Sequence, residues 1–133
     1  MLVAAAGPAI NVVLAFCAAA LLHTVPWFPD WFSAWWQATL INGILLNLVL
    51  AVFNMLPIPP LDGGRIVTGL LPYDLAVRYS KLERYGLFIV IGVMFLVPYI
   101  GRELGLDLGY AMQLIMFCVK YLLHFILMLT GQL

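Results

Sequence analysis

The stretch Asn54-Met55-Leu56-Pro57-Ile58-Pro59-Pro60-Leu61-Asp62-Gly63-Gly64-Arg65 holds the residue types in this chain best suited to chemistry, and it closes an otherwise regular apolar run. Proline lacks a backbone donor and disfavours the α region for the residue before it, so Pro57, Pro59 and Pro60 are expected to stop a helix and extend the chain. Irregular backbone at membrane depth persists only where it is buried in protein or lines a wet cavity, so such a segment implies a site. Asp62 is its ionisable group. A carboxylate near a bilayer is costly unless a cation, a metal or water stands beside it. It can give one oxygen ligand to a tetrahedral zinc ion, with histidine nitrogens as the usual companions, but it cannot hold zinc alone. Gly63 and Gly64 permit tight backbone geometry and are expected to keep bulk away from the carboxylate. The plainer reading of Asp62 is a turn or helix-capping aspartate.

The remaining polar groups are sparser. Asn11, Asn42 and Asn47 lie in apolar helices, where amides more often hydrogen-bond between helices than take part in catalysis. Asn47 shares a face with Asn54, which leaves contact with a substrate open. His23 falls where the first apolar run ends and reads as an interfacial residue. Lys120 and His124 are one helical turn apart in the last run. Charges inside a membrane suggest function, against the simpler expectation that Lys120 snorkels or pairs within the bundle. Cys17 and Cys118 sit in apolar runs without metal or disulfide spacing and read as small core hydrophobes.

These groups require apolar elements to position them. Of the 133 residues, 65% are hydrophobic and only 9% charged, with a mean hydropathy of +1.10, which points to lipid rather than water as the main solvent. Basic and acidic residues balance at six each, so no charge excess favours nucleic acid. Crossing a bilayer takes about 20 helical residues. Four runs are candidates: about Val3 to Leu22, Ala38 to Leu56, a marginal one from Leu87 to Ile100 extendable by Tyr85 and Gly86, and Leu108 to Leu129. The fold class predicted is an all-α membrane protein of about four transmembrane helices, with a proline-broken loop after the second, forming one domain over residues 1–133. All four tryptophans fall between Trp27 and Trp36, the composition of an amphipathic segment lying at headgroup level. Residues 73–84 place Leu75, Tyr79 and Leu82 on one face of a second interfacial helix.

Arg65, Arg78, Lys81 and Arg84 cluster between the second and third runs, so residues 65–84 are expected in the cytoplasm. By alternation Met1 then starts on the cytoplasmic side, the tryptophans lie outside, and the C-terminus returns inside. The residues around Met1 have no basic lead-in, unlike a secretory signal, and Met1 reads as an internal position.

At this point a resemblance becomes specific. Asn54 to Gly63 resembles the N-x-x-P-x-P-x-x-D-G signature of the site-2 protease family, and Gly7-Pro8-Ala9-Ile10-Asn11 is similar to that family's upstream G-P-x-x-N element. The order and separation of the two suit the short bacterial branch without a PDZ domain, as does Leu82-Glu83-Arg84-Tyr85-Gly86 leading into the next span. The resemblance implies an intramembrane zinc metalloprotease whose HExxH helix gives two His ligands and a Glu general base. Asp62 would be the third protein ligand, and Asn54 would hold the substrate strand or the developing oxyanion. Pro57 and Pro59, with Gly63 and Gly64, would shape the substrate loop, and Gly7, Pro8 and Asn11 form the structural motif.

No His-Glu-x-x-His occurs in the chain. In the family that helix precedes the G-P-x-x-N element, so the chain is expected to begin downstream of it. It would then be the C-terminal part of the protease core, inactive and without stably bound zinc when alone. The expected setting is the bacterial inner membrane. The expected partners are the lipid bilayer, a transmembrane or membrane-associated protein substrate, and a complementing chain that carries the HExxH helix. A non-catalytic module that binds transmembrane segments is the alternative. A transporter part would also explain a broken helix, but not the aspartate-glycine signature.

Overall fold

The computed structural model describes residues 2–106 and 108–132; Met1, read above as an internal, cytoplasmic position, lies outside them. Among the described residues every regular element is helical: α1 (Leu2–Leu21) with a 3-10 extension Leu22–Trp27, α2 (Asp30–Asn54), α3 (Asp62–Leu70), α4 (Tyr73–Ser80), α5 (Glu83–Ile91), a π-helical turn Gly92–Leu96, α6 (Val97–Glu103) and α7 (Tyr110–Leu129). Four helices are long and apolar enough to cross a membrane, the third being the continuous run Glu83–Glu103. That run is longer than the Leu87–Ile100 core expected from hydropathy, because Glu83 and Arg102 sit on its end turns, where charge is tolerated. Only a small share of each span's residues is buried within the chain, so most of their apolar surface is left for lipid or other helices.

The tryptophan stretch is not a separate interfacial element. Pro29 caps a helix start, accepting from the backbone N–H groups of Phe32 and Ser33 at 2.9 Å each, and Trp31, Trp35 and Trp36 then form the first turns of α2. Asp30 in that first turn suits the positive end of the helix dipole. A 25-residue helix is about 37 Å long, more than the hydrocarbon core needs, so its aromatic first turns suit the headgroup zone. Phe32 and Trp36 stack at 6.2 Å, and Phe28 meets Phe32 edge-on at 4.9 Å. Trp36 donates through Nε1 to Thr24 Oγ1 at 2.9 Å, fastening α2 to the 3-10 extension.

The α1–α2 pair is the heart of the bundle. α1 turns Ala4, Pro8, Ala15 and Ala19 inward, and α2 answers with Leu40, Ile44, Leu48 and Ala51. Lipid tails are as apolar as these side chains, so association rests on close packing, which small residues permit. α7 completes the core with Ile115, Val119 and Ile126, joined by Val90 and Met94 from the third span.

His23 Nε2 lies 2.7 Å from the Thr130 carbonyl, and Gln132 Nε2 reaches the Ala19 carbonyl at 3.5 Å. The C-terminal ends of α1 and α7 therefore lie together, and the two helices run the same way. This corrects the alternating scheme, which returned the C-terminus to the side where α1 begins. Hydropathy counts crossings but carries no information on which ends pack together.

Candidate metal-ligand loop

α2 stops at Asn54, and the segment 55–61 runs through a series of tight turns rather than the extended chain expected from its prolines. Ile58 N–H donates to Leu56 O at 2.8 Å and Leu61 N–H to Ile58 O at 2.9 Å, and the Pro59–Pro60 peptide is cis. Proline fixes φ near −65°, a value turns share with extended backbone, so proline content alone does not choose between them.

Asp62 opens α3 as its first residue, where the helix dipole favours a negative charge. It is half-buried, and its side chain makes no hydrogen bond or ion pair among the described residues. A Cβ placed on Gly7 would come within 2.6 Å of Asp62 Oδ2, so the carboxylate lies in a notch on α1 that only glycine leaves open. The fold thus brings Gly7 and Asp62 together. Pro8 beside Gly7 is buried, and Asn11, one turn on, is half-buried. Asn54 is half-buried at the end of α2, without a side-chain hydrogen bond among the described residues.

Gly63 and Gly64 have a different task from the one expected. Both are buried. A Cβ on Gly63 would overlap the backbone carbonyls of Met55 and Leu56, and one on Gly64 would overlap the Ile58–Pro59 backbone. They admit the loop's own main chain, whereas room for the carboxylate comes from Gly7.

Two supports were missed from sequence. Tyr79 on α4 donates its hydroxyl to the Pro57 carbonyl at 2.5 Å, and burial pushes its phenol above the ordinary value of 10.0. Gly86 on α5 lies so close to the Pro59 carbonyl that a Cβ would overlap it. In sequence Tyr79 reads as part of an apolar face, and Gly86 as part of a family-like lead-in and a possible extension of the third span. Pro57 and Pro59 are therefore held by elements that follow them in the chain.

The remaining polar residues stand apart. Asn47 donates to the Gly43 carbonyl of its own helix at 2.8 Å, and Asn42 is exposed. His23 is at the opposite end of α1 from Gly7, roughly 24 Å along the axis, and His124 faces outward from α7. Among the described residues no three His, Cys, Asp or Glu side chains are grouped to hold a metal ion. A free, half-buried carboxylate at a helix start fits one zinc ligand, but one ligand does not make a zinc site. The described residues therefore do not fit a complete metal centre.

Helices of membrane-spanning length around a half-buried carboxylate, presented by a proline-turned loop, define a class of integral membrane protein with a candidate ligand between its helices. Residues 30–99, just over half of the chain, match the sequence model described as Peptidase family M50, so the chain belongs to the M50, or site-2 protease, family. It is 38% identical over 110 residues to "Putative zinc metalloprotease YwhC" of Bacillus subtilis (strain 168), a match covering 74% of this chain and 46% of that protein. It is 43% identical over 65 residues to "Putative zinc metalloprotease MJ0611" of Methanocaldococcus jannaschii, covering 49% of this chain and 31% of that one. The chain thus spans less than half the length of either relative. No solved structure matches it.

Proposed function

We propose that these residues form the ligand-loop part of an intramembrane zinc metalloendopeptidase that hydrolyses peptide bonds of transmembrane or membrane-associated proteins. The observation that carries this reading is the Asp62 carboxylate, seated against Gly7 at the head of α3 with no other partner among the described residues. In the complete enzyme Asp62 is one zinc ligand, and an HExxH helix outside these residues supplies two histidines and the general base. Zinc bound by such a set polarises a water and the scissile carbonyl. The part played by this chain is positional. Gly7 and the 55–61 turns fix the carboxylate, and the Asn54 amide at the end of α2 orients the substrate strand or the oxyanion. The 133 residues alone lack stably bound zinc and are inactive, and the setting is a bacterial inner membrane with residues 65–84 in the cytoplasm.

The test is to purify the chain alone and together with a separately expressed HExxH-bearing span. Zinc content and cleavage of a synthetic transmembrane substrate are then measured. Stoichiometric zinc and cleavage are expected only for the pair, and both are lost with Asp62→Asn. Cleavage by the chain alone, or full activity of the Asp62→Asn pair, would overturn the reading.

The single ligand among the described residues also favours a second reading, a non-catalytic module that binds transmembrane segments. It predicts capture of the substrate helix by the pair with no cleavage.

A further inference from the structure

The last helix carries a feature that the metal-ligand loop leaves unused. α7 is a 20-residue span with Lys120 midway along it, about 15 Å from either end at 1.5 Å per residue. Lys120 and His124 are both exposed, and neither makes a hydrogen bond or ion pair among the described residues. They line an open groove of about 520 Å³ between exposed Phe117 and Tyr121 on one wall and half-buried Leu123 and Leu127, which pack against the core, on the other. The Phe117 and Tyr121 rings stand 4.6 Å apart along one wall.

Snorkelling does not resolve this charge. A lysine side chain reaches roughly 6 Å, well short of the roughly 15 Å to a headgroup from mid-span. Pairing within the bundle, the other simple expectation, is not made among the described residues. A second copy cannot supply a matching carboxylate either. The acidic residues among the described ones are Asp30, Asp62, Asp74, Glu83 and Glu103, and none falls within the interior of a spanning helix. Asp62 is held against Gly7. An ammonium and an imidazole one turn apart, flanked by aromatic and leucine walls, are complementary to an apolar helix bearing one acid.

We propose that the outward face of α7 around Lys120 and His124 docks a membrane-spanning helix that carries a single Asp or Glu at mid-depth. The carboxylate takes the Lys120 ammonium and the His124 ring N–H, while Phe117, Tyr121, Leu123 and Leu127 pack the surrounding turns. This surface is independent of the protease reading and stands or falls without it.

The test uses the purified 133-residue chain in neutral phosphatidylcholine vesicles and a labelled synthetic leucine-alanine helix with Glu, Gln or Leu at its centre. Association is read by energy transfer. The Glu helix is expected to bind at least about tenfold more tightly than the Leu helix. Lys120→Met should remove that preference while leaving circular dichroism and tryptophan emission unchanged, and His124→Leu should reduce it in part. Equal binding of the Glu and Leu helices would overturn the proposal, as would a preference that survives Lys120→Met. Self-association that Lys120→Met abolishes would assign the face to a second copy. Loss of the Glu preference on adding phosphatidylglycerol would assign it to anionic headgroups, and either result would also overturn the proposal.

Discussion

The two ends of the α1–α2 pair are held by different kinds of contact. At the proline-loop end, main chain meets main chain: Gly63, Gly64 and Gly86 lie where any Cβ would overlap a neighbouring backbone, and Gly7 lies against the Asp62 carboxylate. At the tryptophan end, side chain meets side chain: rings of Phe28, Phe32 and Trp36 pack at 4.9 to 6.3 Å, and one indole N–H reaches Thr24. Backbone contacts cannot relax by changing rotamer, whereas an aromatic cluster can repack. The loop end therefore has little room to adjust, and the aromatic end tolerates exchange.

The sharpest way to break this contrast is Gly63→Ala. Its Cβ has only the Met55 and Leu56 carbonyls to push against, and a loss of about 3 kcal/mol is expected. Gly43→Ala, where a Cβ meets nothing within 4 Å, should instead raise stability by about 0.5 to 1 kcal/mol. Unfolding of both variants in detergent micelles, followed by circular dichroism, checks the pair. Similar effects of the two substitutions would erase the distinction.

A smaller effect is expected from Tyr79→Phe, which removes the hydroxyl tie to Pro57 and should cost about 1 kcal/mol in the same unfolding assay. Burial raises the Tyr79 pKa, so the tie contributes fully below the ordinary value of 10.0 and is lost as pH rises through the raised one. The wild-type advantage over Tyr79→Phe should therefore be flat from pH 7 to 9 and shrink only in stronger alkali. The smallest effect belongs to the aromatic end. Trp36→Phe loses the bond to Thr24, keeps a ring in the cluster, and should cost about 0.5 kcal/mol. A loss as large as that of Gly63→Ala would show that the two ends are held alike.

Much of this architecture was legible from residue types. The four spans follow from hydropathy, and the end of α2 follows from Pro57, Pro59 and Pro60. The start of α2 did not, because a Trp- and Pro-rich run reads the same whether it lies along the membrane or begins a helix that crosses it. The side on which α7 ends was also hidden, since it depends on His23 finding Thr130 across the bundle. For the loop, Asp62 and Gly7 could each be singled out from motif, but only the packing of α3 on α1 sets one against the other. The supports from Tyr79 and Gly86 are long-range contacts with no local pattern. The Gly63–Gly64 pair shows the limit of local inference: its tightness was readable, and the atoms it accommodates were not.

Gly86 also has a bearing on biosynthesis. Residues 54–64 leave the ribosome well before it, and the carbonyl of Pro59 gains its last wall only when the first turn of α5 settles against it. The turn-rich segment is thus finished by a helix made later, and in a nascent chain halted before that helix the Pro59 carbonyl would lack this wall.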